Sequence, residues 1–367
     1  MFDDVMGRQA VFFFKNAGFF LFLVFFSASL TFLCRRYVRI MDHANERSMH
    51  SEPVPRSGGI AIVGTFVVGT LTYYGFRGEY FVDYASFWGV FAAAIVVSIV
   101  SLYDDITNRS LSYKLVSQVA GAVILITFGL VINVWTVPLI GTVSFGPLRY
   151  TMTILWIVGM TNAFNFMDGI DGLAAGVAVV AAVVFSAFAY MTGSGVSFHV
   201  GYIIAAACIG FMLFNYPRAT IFMGDVGSTF LGVTFGALAI LSSHYEHHHT
   251  PFALMPILFA NFILETFFTF VWRLVTGQHV FSPHKLHPYQ LLVQMGFVPK
   301  KVAVIYFLQT FALAGLCVVY FISPTIGKAA VLLSIVIGYT LYFVRVHRMA
   351  RARGLLKNIR RGVVASL

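Results

Sequence analysis

The chain has 367 residues, of which 59% are hydrophobic and only 10% are charged, and its formal net charge is +10. A soluble domain carries about 25% charged residues, so the composition excludes a soluble globular protein and predicts a polytopic membrane protein. The three cysteines all lie in or beside apolar runs, which indicates neither a disulfide framework nor a zinc site.

Apolar segments near the roughly 20 residues that a helix needs to cross the hydrocarbon core predict an all-α fold with about eleven transmembrane helices in one domain. They cover residues 17–34, 58–76, 85–103, 115–135, 151–166, 173–191, 198–216, 228–243, 252–275, 302–322 and 326–343. Asp3 and Asp4 precede the first segment and no small-residue cleavage site follows it, so we interpret it as a retained anchor.

The basic residues predict the orientation. If the loop after the first helix is cytoplasmic, 19 of the 24 lysines and arginines lie on the cytoplasmic side, and the N-terminus is then periplasmic and the C-terminus cytoplasmic. The predicted cytoplasmic loops are at about 35–57, 104–114, 162–172, 217–228 and 276–301, and the first four contain most of the carboxylates. That combination suits an anionic substrate held by bases and a divalent cation held by acids. For the basic tail, 345–367, we prefer a topology signal with attraction to anionic lipid.

The polar stretch 161–176 lies between two long apolar runs and contains Asn162, Asn165, Asp168 and Asp171. If it is helical, the two aspartates share one face with their Cβ atoms about 5–6 Å apart. Such close carboxylates repel each other unless a cation lies between them. The alternative is a polar turn, which two Asp-Gly pairs preceded by two asparagines make an insufficient explanation.

Two earlier loops add charged groups to this side. The first carries Arg47, His50 and Arg56, although it can equally be a basic connector. The second begins at Asp104 and Asp105 and is followed by Arg109 and Lys114. Adjacent carboxylates at a membrane face favour a metal, a neighbouring base or proton transfer. A solvated helix end is the alternative, but the helix dipole opposes acidic residues there.

The segment 222–228 leads into the eighth predicted helix. Gly224 and Gly227 allow close approach of a ligand to the backbone, and helix N-terminal amides favour phosphate oxygens. Asp225 suits magnesium, which typically takes one or two carboxylates together with substrate phosphates. The alternative is an ordinary helix cap formed by Asp225 or Ser228.

The last loop supplies donors suited to a phosphate or a sugar, namely His284, Lys285, His287 and Gln290. A zinc site is weakly supported there, because no third nitrogen or sulfur ligand accompanies the histidines. We interpret the run 247–249, three histidines, as a solvated external turn. Glu265, in the middle of a predicted helix, is either a functional acid or a structural hydrogen-bonding group.

Together these motifs resemble the polyprenyl-phosphate N-acetylhexosamine-1-phosphate transferases (glycosyltransferase family 4). The matching pieces are NERSMHSEPVPRSGG, the DD pair with its downstream lysine, NAFNFMDGIDGLAAG, FMGDVGS, LETFFTFVWR and SPHKLHPYQ, spread through nearly the whole chain. The layout looks like the branch that initiates O-antigen. The peptidoglycan branch has consecutive histidines where this chain has HKLHPYQ, which argues against a muramyl-pentapeptide substrate.

The resemblance implies transfer of an N-acetylhexosamine 1-phosphate from a UDP-sugar to undecaprenyl phosphate at the cytoplasmic face of the bacterial inner membrane, with release of UMP. It implies Mg²⁺, for which Mn²⁺ is a substitute, with Asp225 and Asp168 as ligands. Catalytic roles fall on Asp104, Asp105, Asp168, Asp171 and Lys114. Substrate-binding roles fall on Arg56, Asn162, Asn165, Gly224, Ser228, His284, Lys285, His287 and Gln290.

A lipid bilayer is required and no nucleic-acid partner is expected, while a homodimer is left open. Because a phosphomonoester has a second pKa near 6, the lipid phosphate needs little deprotonation, so we expect positioning and charge stabilisation to dominate over base catalysis. The alternatives are a cation-coupled transporter of an anionic lipid or sugar phosphate, which would place ionisable groups near the midplane, and an inactive scaffold.

Overall fold

The computed structural model describes residues 2–42, 53–76, 84–107, 111–280, 282 and 284–356. Within these residues the chain is almost entirely helical, which confirms the predicted all-α class. The helices are α1 (Phe2–Tyr37), α2 (Gly58–Phe76), α3 (Tyr84–Thr107), α4 (Leu111–Thr127), α5 (Arg149–Met167), α6 (Leu173–Thr192), α7 (Gly195–Asn215), α8 (Gly224–His244), α9 (Leu254–Leu258), α10 (Ala260–Val275), α11 (Pro288–Gln294), α12 (Pro299–Ile322) and α13 (Thr325–Ala352). Two small antiparallel pairs join β1 (Met41–Asp42) to β2 (Val54–Pro55) and β3 (Val134–Val137) to β4 (Gly141–Ser144).

Eight of the described helices are long and apolar enough to cross a membrane: α1, α2, α3, α6, α7, α8, α12 and α13. The protein is therefore a multi-pass membrane protein. The other three predicted spans correspond to α4, to α5 and to α9 with α10. Helix α4 has 17 residues, and α9 and α10 have 5 and 16, so each is short for a full crossing. Helix α5 is longer, but polar residues such as Asn162 and Asn165 lower its hydropathy. The count of eleven and the orientation stay predictions.

Two predicted helices are wrong in extent. The helix expected at 115–135 ends at Thr127, and its last part belongs instead to the hairpin of β3 and β4. The helix expected at 252–275 is divided at Phe259 into α9 and α10. Pro256, which has no N–H to donate, lies just before that break. In addition, the short helix α11 forms inside the predicted loop 276–301.

Helix α8 occupies the centre of the bundle, where its apolar stretch is fully buried among neighbours that include α2, α3 and α5. The crossing with α2 is very close, because a Cβ atom on Gly59 would lie 2.2 Å from the backbone nitrogen of Gly227. Glycine is therefore required where these two helices begin. The N-terminus of α8 is consequently fixed between the ends of several other helices.

The segment that precedes α2 is hydrogen-bonded to the segment that precedes α8. Phe222 donates its N–H to the carbonyl of Pro55 at 2.7 Å, and Gly58 donates to the carbonyl of Phe222 at 2.9 Å. Arg56 donates its N–H to the carbonyl of Ile40 at 2.8 Å. These contacts carry the Arg56 side chain to the start of α8.

Candidate active site

Four helix ends meet at one end of the bundle and bring together charged residues that are far apart in the sequence. Asp104 and Asp105 lie in the last turns of α3, Lys114 lies in the first turn of α4, and Asp225 lies in the first turn of α8. Asn165 lies in the last turn of α5. We call the four charged residues Asp104, Asp105, Lys114 and Asp225, together with the amide residue Asn165, the charged cluster. Their convergence agrees with the prediction that these motifs share one face.

The carboxylate of Asp225 is held from two helices. Lys114 Nζ pairs with its Oδ2 atom, and Asn165 donates from Nδ2 to its Oδ1 atom at 2.8 Å. Lys114 Nζ also lies 3.3 Å from Oδ2 of Asp104. A single ammonium group therefore bridges the carboxylates of α3 and α8.

Asp105 binds the start of α8 rather than pointing away from it. Its Oδ2 atom accepts a hydrogen bond from the N–H of Val226 at 3.2 Å, and its Oδ1 atom lies 3.7 Å from Nε of Arg56. Arg56 also donates to the backbone carbonyl of Asp105 at 2.5 Å. A carboxylate near helix N-terminal amides is favourable, so Asp105 caps α8 from a neighbouring helix.

The expected alternative, a cap of α8 by Asp225 or Ser228, is wrong. The N-cap residue is Met223, which makes no side-chain cap, and Ser228 Oγ donates to the carbonyl of Gly224 at 3.1 Å. Gly224 has a positive φ of 71°, and a Cβ atom there would lie 2.4 Å from the carbonyl oxygen of Arg56. Close backbone approach at this glycine therefore serves the protein's own packing.

The helical interpretation of Asp168 and Asp171 is also wrong. Helix α5 ends at Met167, Asp168 is its C-cap residue, and Gly172 has a φ of 74° before α6 begins. Asp171 Oδ2 accepts the N–H of Ala219 at 2.9 Å, so this side chain orders the chain that leads to α8. Burial, followed by the charges of Asp225, Asp105 and Asp171, raises the pKa of Asp168 to about 8. Asp168 follows Asn165 by three residues at the end of α5, so it lies close to the charged cluster.

Asn162 lies one helical turn away from the cluster and is engaged by another helix. It donates from Nδ2 to Oε1 of Gln118 at 2.7 Å, and Gln118 donates back to Oδ1 of Asn162 at 3.1 Å. Sequence reasoning did not select Gln118. The signal that was present is an amide four residues after Lys114 in an otherwise apolar run.

The histidine-bearing loop reaches the turn after α5 through Tyr289. The Tyr289 hydroxyl donates to the carbonyl of Phe166 at 2.9 Å, and the His287 ring lies 5.7 Å from the Phe166 ring. Burial, followed by the charges of His284, Arg273 and His347, lowers the pKa of His287 to about 3. His287 is therefore neutral near pH 7, and its predicted role as a donor to a phosphate or a sugar would be that of an uncharged hydrogen-bonding group.

The other predicted residues of this loop have local roles in the structure. Gln290 Oε1 accepts the N–H of His287 at 3.2 Å, and the carbonyl of Lys285 accepts from Gln294 at 2.7 Å. The His284 ring lies 5.0 Å from the His287 ring.

Glu265 is buried and accepts hydrogen bonds from two other helices. The N–H of Tyr289 in α11 reaches its Oε1 atom at 3.2 Å, and the Tyr306 hydroxyl of α12 reaches its Oε2 atom. This favours the structural alternative for Glu265. The three histidines 247–249 are exposed at the opposite end of α8, about 30 Å from Asp225 for a 21-residue helix. Of the sequence motifs, Arg47, His50 and Arg109 lie outside the described residues.

The charged cluster fits a magnesium ion in its chemistry. The carboxylate oxygens of the cluster are the kind of ligand that magnesium takes. Lys114 Nζ already lies between Asp104 and Asp225, which shows that these carboxylates accommodate positive charge. Among the described residues, no group of three histidine, cysteine or acidic side chains could hold a metal by itself. That is compatible with magnesium, which usually keeps waters and binds one or two carboxylates and substrate phosphates.

An apolar helix bundle with an acidic and basic cluster at the ends of four helices defines a multi-pass membrane enzyme. Residues 87–243 match the family model described as "Glycosyl transferase family 4". The chain is 30% identical to a decaprenyl-phosphate N-acetylglucosaminephosphotransferase of Mycobacterium tuberculosis (strain CDC 1551 / Oshkosh), over 80% of this chain and 79% of the relative.

Two further relatives cover most of the chain. A probable undecaprenyl-phosphate N-acetylglucosaminyl 1-phosphate transferase of Bacillus subtilis (strain 168) is 28% identical over 79% of this chain and 78% of its own length. An undecaprenyl-phosphate alpha-N-acetylglucosaminyl 1-phosphate transferase of Escherichia coli O157:H7 is 24% identical over 92% of both chains. The chain belongs to the polyprenyl-phosphate N-acetylhexosamine-1-phosphate transferases of glycosyl transferase family 4.

Proposed function

We propose that the protein transfers an N-acetylhexosamine 1-phosphate from a UDP-sugar to undecaprenyl phosphate at the cytoplasmic face of the inner membrane. An oxygen of the lipid phosphate bonds to the phosphorus that carries the sugar, and the bond from that phosphorus to the UMP oxygen breaks. UMP leaves with that oxygen and its electron pair, and the sugar remains linked to the lipid through a pyrophosphate.

The observation that carries this proposal is that two side chains hold the Asp225 carboxylate in a chain of this family. Lys114 from α4 and Asn165 from α5 fix its two carboxylate oxygens, and Asp104 lies on the other side of Lys114. The carboxylates of Asp104, Asp105 and Asp225 outnumber the two basic side chains, Lys114 and Arg56, that pair with them. The site therefore suits an added cation and, with it, an anionic substrate.

Asp225 and Asp168 are the residues that would hold Mg²⁺, and Asp168, whose pKa is about 8 without the metal, would release its proton on binding. When bound, the ion neutralises charge on the pyrophosphate. Lys114 and Arg56 supply further positive charge at the same place. Since the lipid phosphate is largely dianionic near pH 7, no side chain is required as a base, and the main work of the protein is to hold the two phosphates in line. Asp104 and Asp105 then act by keeping Lys114 and the start of α8 in place.

For the pathway, we propose initiation of O-antigen or a related envelope polysaccharide. The sequence HKLHPYQ, with a proline and a tyrosine after His287, supports this assignment over a muramyl-pentapeptide substrate. In the structure Pro288 begins α11, and Tyr289 contacts Glu265 and Phe166.

The test is release of UMP by purified protein with undecaprenyl phosphate, Mg²⁺ and a panel of labelled UDP-sugars that includes UDP-N-acetylglucosamine, UDP-N-acetylgalactosamine and UDP-N-acetylmuramyl-pentapeptide. We expect UMP release with at least one N-acetylhexosamine and none with the pentapeptide. EDTA should abolish it, and excess Mg²⁺ or Mn²⁺ should restore it. Absence of UMP release with every sugar would overturn the proposed function.

Asp225→Ala is expected to lower turnover by at least about a thousandfold, as loss of a central electrostatic group does in other enzymes. His248→Ala, on an exposed ring at the far end of α8, is the matched control and should keep wild-type activity. If Asp225→Ala retained substantial turnover, Asp225 would not be the principal ligand.

A further inference from the structure

One helical turn deeper in the bundle than the charged cluster, uncharged side chains form hydrogen bonds between the same helices. One pair joins α3 to α8 and another joins α4 to α5. Ser101 of α3 contacts Thr229 of α8, with 2.8 Å between their hydroxyl oxygens. Gln118 of α4 and Asn162 of α5 exchange the two hydrogen bonds described above. Ser101, Gln118 and Thr229 are buried. We call these four residues the brace layer.

The sequence spacing shows why the brace layer matters. Ser101 precedes Asp104 and Asp105 by three and four residues, and Thr229 follows Asp225 by four. Gln118 likewise follows Lys114 by four, and Asn162 precedes Asn165 by three. Side chains three or four residues apart lie on the same face of a helix. Each brace therefore lies directly beneath the charged residues that its two helices contribute.

The α3–α8 brace also reaches the backbone of the central carboxylate. The Thr229 hydroxyl donates to the carbonyl of Asp225 at 2.7 Å. A hydroxyl has one proton, so the Ser101 hydroxyl is the donor in its contact with Thr229. The result is a chain of hydrogen bonds from α3 through Thr229 to the residue that carries the proposed metal ligand.

We propose that Ser101, Gln118 and Thr229, with Asn162 as the partner of Gln118, are positioning residues for the transferase reaction. They hold α3, α4, α5 and α8 at the separations that let Lys114 and Asn165 grip Asp225. This inference rests on the proposed function, and it concerns side chains whose hydrogen bonds join one helix to another. A displacement of about 1 Å among reacting groups can lower a rate by about a hundredfold, so braces that add little to stability can still control turnover.

Helix α12 provides a matched control for Thr229. Thr310 is also buried, donates to the carbonyl four residues earlier at 2.9 Å, and accepts from a different helix, through Asn261 Nδ2 at 2.8 Å. Thr229→Val and Thr310→Val therefore remove the same hydroxyl from the same kind of contact with little change in volume. Only the first lies beneath the charged cluster.

The experiment compares wild type, Thr229→Val, Thr229→Ser and Thr310→Val for apparent Tm in detergent, for kcat and KM, and for the acetylation rate of Lys114 followed by mass spectrometry. We expect Thr229→Val to lower kcat by about tenfold or more, with KM little changed, and to raise the Lys114 acetylation rate several-fold. Thr229→Ser should keep wild-type values, and Thr310→Val should match the Tm loss of Thr229→Val with normal kcat and Lys114 reactivity.

The Gln118–Asn162 brace has its own rescue test. Gln118→Asn alone shortens the pair by one methylene and should lower kcat. The double variant that exchanges the two residues, Gln118→Asn with Asn162→Gln, restores the total length and should recover most of the wild-type kcat. Equal effects of Thr229→Val and Thr310→Val on kcat and acetylation, or no recovery in the exchanged pair, would overturn the inference. Inactivity of the wild type with all sugars would instead refute the proposed function, and the acetylation rates would still decide whether the braces position Lys114.

Discussion

At the scale of single residues, Asp105 shows how a site that looks catalytic in the sequence can also be structural. Its carboxylate accepts the N–H of Val226 and faces Arg56. An asparagine side chain can accept the same N–H, but alanine cannot. We expect Asp105→Asn to keep most of the apparent Tm, and Asp105→Ala to cost about 0.5–2 kcal/mol, the usual price of a lost N-cap.

The measurement is thermal unfolding in detergent for both variants, together with the pH dependence of their turnover. If Asp105 is a cap and not a base, the activity of Asp105→Asn relative to wild type should not recover as the pH is raised from 7 to 9. A variant that is inactive at pH 7 and recovers at high pH would show that proton removal by Asp105 matters after all.

Other residues of the site show the limit of sequence reasoning at this scale. Asp225, Lys114 and Asn165 were selected because charged or amide groups in apolar surroundings require a partner. Gln118 and Thr229 were not selected, because an amide or hydroxyl in a helix can bond to its own backbone or face another helix. Which of these occurs depends on how the helices are rotated against each other, and local sequence does not fix that rotation.

At the scale of elements, the long apolar runs were easy to predict and the irregular segments were not. The stretch 134–144 was counted partly into a helix because Val134, Trp135 and Val137 are apolar. Its β-branched residues, with Pro138 and Gly141 between them, are typical of a hairpin, and hydropathy averaged over a window hides that pattern. The short α11 depends on tertiary contacts such as the one between Glu265 and Tyr289.

Glu265 joins α10 to α11 and α12 by hydrogen bonds. Its substitution therefore tests whether a fixed position of α11 is needed for stability and activity. Glu265→Leu would leave the buried Tyr289 N–H without its acceptor, at a cost of about 1–3 kcal/mol. Among the described residues, the Tyr306 hydroxyl would keep only its contact with the Tyr342 hydroxyl at 3.2 Å. We expect a lower apparent Tm and reduced activity, because α11 contacts the turn that carries Asp168 through Tyr289.

Glu265→Gln keeps an acceptor oxygen and should retain most of the stability and activity. Thermal unfolding and UMP release of the two variants check this. If Glu265→Leu unfolded at the same temperature as wild type, the anchoring role would be wrong. If Glu265→Gln were inactive with a normal Tm, the ionised carboxylate would have a functional role.

The start of α7 offers a pH test. Glu246 is buried at the opposite end of α8 and accepts the N–H groups of Val196 at 2.8 Å and Ser197 at 3.1 Å. Burial raises the pKa of Glu246 above its ordinary value, even though these hydrogen bonds oppose the shift. The folded state therefore binds the Glu246 proton more tightly than the unfolded state does. The resulting stabilisation of the fold is present at low pH and is lost as the pH rises through the folded-state pKa of Glu246.

Glutamine at this position does not titrate and keeps an acceptor. We expect the apparent Tm of wild type to fall relative to that of Glu246→Gln as the pH is raised from 4.5 to 8. Unfolding scans of both proteins in the same detergent measure the difference. A wild-type Tm that rises relative to the variant over this range would contradict the sign of the shift.

At the scale of the whole molecule, the site depends on residues separated by most of the chain. Asp104 and Asp225 meet because α3 and α8 pack with opposite directions, so the C-terminus of one lies at the N-terminus of the other. Alternating helices and the position of charged residues were enough to predict that these motifs share a face. The distances within the cluster were beyond sequence reasoning, because they follow from close crossings such as that of Gly59 with Gly227.

Orientation in the membrane is the prediction that belongs to this scale. The positive-inside rule places the charged cluster on the cytoplasmic side, where a nucleotide sugar would reach it. The native cysteines Cys34, Cys208 and Cys317 are buried, so a single cysteine added at an exposed position reports the side on which it lies. Lys300, at the start of α12, and His247, at the far end of α8, are exposed and suit this purpose.

In spheroplasts, a membrane-impermeant maleimide should label His247→Cys at once and Lys300→Cys only after the membrane is permeabilised. The wild-type protein, whose thiols are buried, is the control for background labelling. The opposite pattern would reverse the orientation, and with it the claim that the substrate arrives from the cytoplasm, while leaving the geometry of the charged cluster unchanged. Equal labelling of both positions in sealed spheroplasts would mean that these residues do not lie on opposite sides of the membrane, and the predicted alternation of the spans between α8 and α12 would then be wrong.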